Sequence, residues 1–142
     1  MAELRVRDLM TPEATTLKQN DKLSLADDIM DLGRVRHLPV LDDDEVQLVG
    51  ILSQRDLFRG ALARALGYGR HAQRNILDTL LVKEVMTTEV VTTTPDTLLV
   101  DAARVLVERK IGCLPVIENQ RLVGILTEGD FVALVARQHA HG

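Results

Sequence analysis

The sequence predicts a mixed α/β (α+β) fold, made of two β-α-β-β-α units that pack sheet to sheet about a pseudo-twofold axis. The chain has 142 residues, enough for one ordinary domain or two very small ones. One series of strand-like and helix-like segments occurs twice along it. A single such unit has a small core and a sheet face that needs cover, so we expect the two units to cover each other.

The composition is typical of a globular protein and disfavours several classes of partner. Hydrophobic residues make up 46% of the chain and charged residues 27%. The net charge of −4 and the lack of Trp disfavour nucleic-acid binding. No apolar run approaches the roughly 18 residues of a membrane span, and the segment MAELRVRDLM lacks the apolar core of a signal peptide. We therefore expect a cytoplasmic protein with no nucleic-acid or membrane partner.

The repeat is clearest in two stretches that share short phrases. HLPVLDDDEVQLVGILSQRDL (37–57) matches CLPVIENQRLVGILTEGDF (113–131), with a shorter turn in the second copy. The match extends upstream, where RDLMTPEATTL (7–17) parallels KEVMTTEVVTT (83–93). We therefore divide the chain into repeat 1 (1–58), a helical linker (59–82), repeat 2 (83–137) and a tail (138–142).

Hydrophobic spacing predicts the first strand and helix of each repeat. The β-branched segments TTL (15–17) and VVTTT (90–94) predict leading strands. Asn20 and Asp96 precede the following helices and are candidate N-terminal caps. The apolar stripes of these helices are Leu23, Ala26, Met30 and Gly33 in repeat 1, and Leu99, Ala102, Ala103, Leu106, Val107 and Lys110 in repeat 2.

Two more strands and a helix complete each repeat. HLPVL and CLPVI each contain a proline, which has no amide to donate, so we expect each strand at a sheet edge or a bulge. QLVGILS and RLVGILT are the most apolar strands, and hairpin turns precede them. QRDLFRGALARAL and EGDFVALVARQ are the closing helices. We expect the first closing helix to extend into the linker, break at Gly67–Gly69 and be followed by a short helix.

Each closing helix begins with a hydroxyl and a carboxylate at the same spacing, Ser53 with Asp56 and Thr127 with Asp130. This pattern is typical of a helix cap, in which both side chains bond backbone amides of the first turn. The same geometry also suits a ligand. Amides at a helix N-terminus attract phosphate, and an ionised Asp accepts hydrogen bonds from vicinal hydroxyls such as those of a ribose. Capping alone would not require the same strand before each helix, which favours a ligand role in addition to capping. Both interpretations stay open.

The phrases LPV, LVGI and [S/T]-x-x-D, each time preceded by an MT segment (LMTPE, VMTTE), resemble the CBS domain, a module named after cystathionine β-synthase. Two such domains in tandem resemble a Bateman module, and the resemblance covers both repeats. It implies two clefts between the repeats that bind adenosine-containing ligands such as AMP, ADP, ATP or S-adenosylmethionine. It also implies a regulatory effect of binding on a partner.

The resemblance further implies which residues contact the ligand. Asp56 and Asp130 match the ribose-binding acid of the family, and Ser53 and Thr127 match its hydroxyl. The MT segment of each repeat is expected in the cleft of the other. The remaining candidates are Leu38, Ile51, Leu114 and Ile125 around the base, Met86, Thr87 and Thr88 beside Asp56, and Met10, Thr11 and Pro12 beside Asp130.

The positions that the family places near the phosphates differ between the repeats. Convergent cations are the usual form of a phosphate site, although a solvated charged face is an alternative. At matching positions repeat 1 has Arg36, His37 and Arg55, and repeat 2 has Gly112, Cys113 and Gly129.

This difference predicts unequal clefts. We expect the Asp56 cleft to bind a phosphorylated adenosine more tightly. The Asp130 cleft is expected to be weak, empty or suited to a less charged ligand. Arg5 or Arg7 would partly compensate there by crossing over from the first segment.

The sequence favours a non-catalytic regulatory module that binds AMP, ADP or ATP and acts on a separate effector protein. It contains no G-x-S-x-G, H-E-x-x-H or P-loop motif, and no required cofactor is expected. Cys113, the single cysteine, lies in an apolar run that opposes thiolate formation. The acidic turn Asp42–Asp44 and the pair His139 and His141 are weak metal candidates, and no metal site is predicted.

Two alternatives stay open, an S-adenosylmethionine sensor and a structural homodimerisation module without a physiological nucleotide. Paired modules of the family commonly associate through their helical faces. We therefore expect a homodimer, with LFRGALARAL and FVALVARQ as candidate contact surfaces.

Overall fold

The computed structural model describes residues 3–65 and 72–140, and within them the mixed α/β class with two three-stranded sheets is confirmed. The chain divides into two compact units. Thr15–Val90 forms the continuous unit, and Met1–Ala14 with Val91–Gly142 forms the two-segment unit. The elements are α1 (Val6–Leu9), β1 (Thr11–Pro12), β2 (Leu17–Lys18), α2 (Leu23–Gly33), β3 (His37–Leu41), β4 (Leu48–Ser53), α3 (Gln54–Ala65), α4 (Ala72–Thr79), α5 (Val82–Val85), α6 (Leu99–Arg109), β5 (Cys113–Glu118), β6 (Arg121–Thr127) and α7 (Glu128–Ala140).

The sheet of the continuous unit has the strand order β2-β3-β4. β2 runs parallel to β3, and β3 and β4 form an antiparallel hairpin. Asp42 closes the hairpin turn, because its Oδ1 accepts hydrogen bonds from the amides of Val46 and Gln47 at 2.9 and 3.3 Å. The core under this sheet consists of Leu17, Leu23, Ala26, Met30, Leu38, Val40, Leu52, Leu57, Leu80 and Val82.

The sheet of the two-segment unit has the order β1-β6-β5, so a strand from the N-terminal segment joins the hairpin of repeat 2. The amide of Val6, at the start of α1, donates to the carbonyl of Thr97 at 2.9 Å. Residues 1–14 therefore complete the fold of repeat 2 and not that of repeat 1. The core of this unit consists of Val6, Leu99, Ala102, Leu106, Leu114, Val116 and Leu126.

The segments with the predicted apolar stripes form α2 and α6, but three of the residues assigned to the stripes are exposed and do not belong to the buried faces. Gly33 and Lys110 are exposed, because the chain turns into the left-handed conformation at Arg34 and Lys110, with φ of 52° and 55°. Arg34 is the C-terminal cap of α2, and Lys110 is that of α6. Val107 is 76% exposed and so lies outside the buried face of α6.

The predicted caps Asn20 and Asp96 are also wrong, because α2 and α6 begin later and neither has a side-chain cap. The first amide of each helix instead donates to a backbone carbonyl from a distant segment. Such a carbonyl satisfies the N-terminal donor as well as a capping side chain would. The donor and acceptor pairs are Leu23 with Leu80 and Leu99 with Leu4, both at 2.8 Å.

Pro39 and Pro115 lie where the sheet needs no proline amide. β5 is the last strand of its sheet, but Thr93 forms a parallel bridge with Val116 on the outer side, so the edge prediction is correct only in part. β3 is central, so the edge prediction is wrong there, but β2 pairs only with Val40 and Leu41, beyond Pro39. The pairing register shifts shortly after each proline, which agrees with the predicted bulges.

The segment predicted as a helical linker contributes to the core of the continuous unit. Ile76 and Leu77 of α4 pack against that core, and Leu80 is 3% exposed. The predicted break at Gly67–Gly69 lies outside the described residues. α7 continues to Ala140, into the segment predicted as a tail. None of the described helices combines the length and apolar character that a membrane crossing requires.

Candidate functional site

Each closing helix begins with the hydroxyl and carboxylate pair folded into a tight turn. At α3, the Ser53 amide donates to Asp56 Oδ2 at 3.1 Å, and the Asp56 amide donates to Ser53 Oγ at 3.0 Å. At α7, the amide and the hydroxyl of Thr127 both donate to Asp130 Oδ2, at 2.8 and 3.2 Å. The capping interpretation is therefore correct for Ser53 and Asp56, whereas at α7 only the Asp130 side chain bonds a backbone amide.

Capping uses only one oxygen of each carboxylate. Asp56 and Asp130 are half-buried, and their hydrogen bonds all reach Oδ2. Among the residues whose side chains the structure describes, 3–62 and 76–138, none donates to Oδ1 of either carboxylate. Each turn therefore holds an oriented carboxylate with one oxygen available to accept hydrogen bonds from a ligand.

The MT segment of repeat 2 lies against the Asp56 turn. Thr87 forms two backbone hydrogen bonds with Ile51, at 2.8 and 2.9 Å, and its Oγ1 donates to Asp56 Oδ2 at 3.2 Å. Met86 packs against the core of the continuous unit, and Thr88 is exposed. We call the group Ile51, Ser53, Asp56 and Thr87 the Asp56 site.

The MT segment of repeat 1 has the equivalent position in the two-segment unit. β1 pairs Thr11 with Ile125 and Pro12 with Gly124, and Met10 packs against the core of that unit. The structure thus brings each MT segment to the strand that leads into the acid-bearing turn of the other repeat. We call the group Thr11, Ile125, Thr127 and Asp130 the Asp130 site.

Gly50 and Gly124, to which the sequence analysis gives no role, lie where the MT segments cross the sheets. A Cβ added to Gly50 would lie 2.6 Å from Met86 Sδ and 2.9 Å from the carbonyl oxygen of Thr87. A Cβ added to Gly124 would lie 2.7 Å from the carbonyl oxygen of Thr11. These distances are shorter than van der Waals contact, so glycine permits the crossing. The available signal was a glycine inside each of the most apolar strands.

The strand register decides which candidates share a face with Asp56. Cross-strand partners point to the same face, and successive residues point to opposite faces. His37 pairs with Ser53 and Pro39 pairs with Ile51, so these four side chains share the face of the Asp56 site. Leu38 lies between His37 and Pro39, points into the core and is fully buried.

The same register holds in the two-segment unit, where Leu114 is fully buried in the core. The prediction that Leu38 and Leu114 line the base pocket is therefore wrong, because side chains facing the core do not also contact a ligand on the other face. Two prolines that the sequence analysis did not include, Pro39 and Pro115, share the site faces, but their side chains are fully buried as well. The site-face residues of this unit are Cys113, Pro115, Ile125 and Thr127.

The three candidate cations of repeat 1 lie beside the Asp56 turn. The carbonyl of Arg36 accepts a hydrogen bond from the Gln54 amide at 2.8 Å, which fixes the backbone of Arg36 next to the turn. Arg55 lies within the turn, and His37 is opposite Ser53 in the hairpin. Arg36 and Arg55 are exposed, and His37 is half-buried. We call Arg36, His37 and Arg55 the cationic edge.

The matching backbone in the two-segment unit carries no cation. The Gly112 carbonyl accepts a hydrogen bond from the Glu128 amide at 3.0 Å, as Arg36 does from Gln54. Cys113 is 8% exposed. Gly129 lies within the turn before Asp130.

Asp96 holds the two arginines that were expected to compensate at the Asp130 site. Arg5 Nη1 donates to the backbone carbonyl of Asp96 at 2.5 Å, and Arg7 forms an ion pair with the Asp96 carboxylate. The structure therefore places both guanidinium groups at Asp96 and does not bring either to the Asp130 turn.

The acidic turn does not converge on a metal site. Asp42 Oδ1 accepts from backbone amides, and Asp43 accepts from Asn20 Nδ2 at 2.6 Å. Across the described ranges, no group of three or more His, Cys, Asp and Glu residues could hold a metal ion. The side chain of His139 and the whole of His141 lie outside the part of the chain that the structure describes.

Three solved structures are similar over nearly the whole chain. The AcuB protein of Vibrio cholerae is 32% identical with a TM-score of 0.81, covering 98% of this chain and 95% of its own. The CBS domain pair of protein MJ0100, in complex with 5′-methylthioadenosine and S-adenosyl-L-methionine, is 25% identical with a TM-score of 0.77, covering 96% and 99%. CBSX2 in complex with AMP is 30% identical with a TM-score of 0.75, covering 95% and 98%.

The chain spans less than half the length of several curated relatives. It is 30% identical over 135 residues to the uncharacterized protein MJ1225 of Methanocaldococcus jannaschii, covering 95% of this chain and 44% of that protein. It is 32% identical over 133 residues to a homoserine O-acetyltransferase of Methanosphaerula palustris, covering 93% of this chain and 24% of that enzyme.

The family assignment follows from the sequence and the fold together. The family model of the CBS domain matches residues 6–63 and 82–137, which is most of the chain and both repeats. Each matched range contains one hairpin and one acid-bearing turn. The chain therefore belongs to the CBS domain family and carries two of these domains in tandem.

Proposed function

We propose that this chain is a regulatory module that binds an adenine nucleotide at the Asp56 site and signals to a partner protein. The observation that carries the proposal is the orientation of the Asp56 carboxylate. Ser53 and Thr87 fix Oδ2, and Oδ1 stays available. A carboxylate held in this way accepts hydrogen bonds from ribose hydroxyls with little further loss of side-chain entropy.

The cationic edge supports a phosphorylated ligand. Ser53 Oγ accepts a hydrogen bond from the Asp56 amide, so its own proton remains able to donate to a phosphate oxygen. Each hydrogen bond between phosphate and a charged group contributes about 1.5–3 kcal/mol. Ile51, at 9% exposed, supplies apolar surface for the base, and the fully buried Pro39 lies beside it on the same face.

The ligands of the solved relatives agree with ribose recognition. CBSX2 was solved with AMP, and the MJ0100 pair with 5′-methylthioadenosine and S-adenosyl-L-methionine. These ligands share adenosine and differ in the 5′ substituent. We favour AMP, ADP or ATP because of the cationic edge. An S-adenosylmethionine sensor is the second candidate, favoured by the MJ0100 complex.

We propose a regulatory and not a catalytic role. The chain matches about a quarter of the M. palustris homoserine O-acetyltransferase, which is the relation expected of a module that accompanies an enzyme. A homodimer in the cytoplasm is part of the proposal. Exposed apolar side chains on four helices support association with a second copy; they are Leu32, Phe58, Val107 and Val132.

Isothermal titration calorimetry with AMP, ADP, ATP and S-adenosylmethionine tests the proposal. Asp56→Asn keeps an oxygen for the bonds from Ser53 and Thr87 but replaces the available acceptor with an amide donor. Affinity should fall about 10- to 100-fold, since one charged hydrogen bond contributes about 1.5–3 kcal/mol. Asp31→Asn, at an exposed position of α2, is the matched control and should bind like the wild type.

Two results would contradict the proposal. Unchanged affinity in the Asp56→Asn protein would show that the ligand does not use this carboxylate. Absence of heat with all four ligands would favour the structural homodimer, which sedimentation equilibrium would then detect.

A further inference from the structure

We infer that the Asp130 site selects an adenosine ligand that carries no phosphate group. This inference rests on the proposed function, because it gives Asp130 the same ribose-binding role as Asp56. The two turns have the same backbone geometry, so the choice of ligand depends on the side chains around them.

The Asp130 site is prepared for a ribose as well as the Asp56 site is. Thr127 fixes Asp130 Oδ2 through two hydrogen bonds, at 2.8 and 3.2 Å, and no residue in the described part of the chain donates to Oδ1. Pro115 and Ile125 share the face of Thr127, and Ile125 is 7% exposed. The nucleoside part of the ligand therefore meets equivalent groups in both units.

The charges near the 5′ end differ between the two sites. None of the three residues that match the cationic edge is a cation, and Glu128 takes the place of Gln54 in the first turn of the helix. A phosphate near Glu128 and Asp130 meets like charge, which weakens binding. The cations that precede the two hairpins, Arg34 and Lys110, are matched and so do not contribute to the difference.

The hydroxyl groups also differ in what they can donate. Ser53 Oγ accepts from a backbone amide, which leaves its proton for a phosphate. Thr127 Oγ1 instead donates its single proton to Asp130 Oδ2. Phosphate oxygens only accept hydrogen bonds, so the Asp130 site offers one donor fewer.

The N-terminal arginines do not restore the missing cations. Arg5 and Arg7 are both bound to Asp96, through its backbone carbonyl and its carboxylate. The Asp130 site therefore suits a nucleoside whose 5′ group is neutral or cationic, and it discriminates against AMP.

Calorimetry on the Asp56→Asn protein, in which the Asp56 site is weakened, tests the Asp130 site with adenosine and AMP, two probes that differ by one phosphate. We expect adenosine to bind at least tenfold more tightly than AMP. Adding Asp130→Asn should reduce adenosine affinity at least tenfold. Adding Gly129→Arg instead should raise AMP affinity at least tenfold and leave adenosine within about threefold. A Cβ at Gly129 would lie 3.7 Å from Thr127 Oγ1, an ordinary contact, so the arginine fits the fold.

Equal affinity of adenosine and AMP for the Asp56→Asn protein would overturn this inference, and so would a lack of binding by both. Either result would leave the proposed function standing as long as AMP binds the wild type through Asp56. If AMP, ADP, ATP and S-adenosylmethionine all fail to bind the wild type, the proposed function is contradicted, and if adenosine also fails to bind, this inference is contradicted with it.

Discussion

Replacement of Gly50 by alanine tests whether the Met86–Thr87 segment is held against β4. The new Cβ would lie 2.6 Å from Met86 Sδ and 2.9 Å from the carbonyl oxygen of Thr87. The Met86 side chain can change rotamer, but the carbonyl of Thr87 is bound to the Ile51 amide at 2.9 Å. The substitution therefore has to displace the backbone of the segment.

The cost follows from the contacts that this displacement disturbs. Overpacking a buried position costs about 1–3 kcal/mol. Two backbone hydrogen bonds between Ile51 and Thr87 would lengthen or break, each at about 0.5–1.5 kcal/mol. The lower entropy of an unfolded chain with alanine offsets about 0.4–1 kcal/mol. We expect the free energy of unfolding of Gly50→Ala to fall by about 1–5 kcal/mol.

Urea denaturation followed by circular dichroism measures this change. Gly129→Ala is the matched control, because its nearest neighbour lies 3.7 Å from the new Cβ, and we expect a change within about 0.5 kcal/mol. Ligand affinity at the Asp56 site should fall in the Gly50 variant only, since Thr87 Oγ1 would leave Asp56. A Gly50→Ala protein as stable as the wild type would refute the inferred crossing.

Two further predictions concern stability and domain boundaries. Leu126→Ala removes a fully buried side chain and should lower the free energy of unfolding, measured by chemical denaturation, by about 2–5 kcal/mol. Leu32→Ala, at a position 86% exposed, should change it by less than about 0.5 kcal/mol. Equal denaturation midpoints for the two variants would contradict the assigned core. A fragment of residues 15–90 contains the whole core of the continuous unit and should show a cooperative thermal transition. A fragment of residues 1–58 lacks α4, α5 and Leu80 and should show none. A folded 1–58 fragment would contradict this division of the chain.

The sequence predicted the local elements well, because hydrophobic period and repeated phrases depend on neighbouring residues. The hairpins, the closing helices and the capped turns at Ser53 and Thr127 all form in the structure. The failures depend on distant residues. Asn20 and Asp96 do not cap their helices, because backbone carbonyls from remote segments satisfy the first amides.

The candidate site was less predictable from the sequence for the same reason. The position of Thr87 beside Asp56 came from the family resemblance and not from local spacing. Strand alternation separates Leu38 from Ile51 only once the hairpin register is known, since a shift of one residue in the pairing would place the two on the same face. The capture of Arg7 by Asp96 joins residues far apart in the chain, and no local pattern indicates it.

The N-terminal arm, residues 1–14, belongs to the sheet and core of repeat 2, and residues 83–90 belong to those of repeat 1. Repeat 1 alone therefore lacks the Thr87 segment that bonds Ile51, and repeat 2 alone lacks β1. Neither repeat contains within its own sequence all the strands and bridges of its sheet, so a cut in the linker would separate each arm from the sheet that it completes.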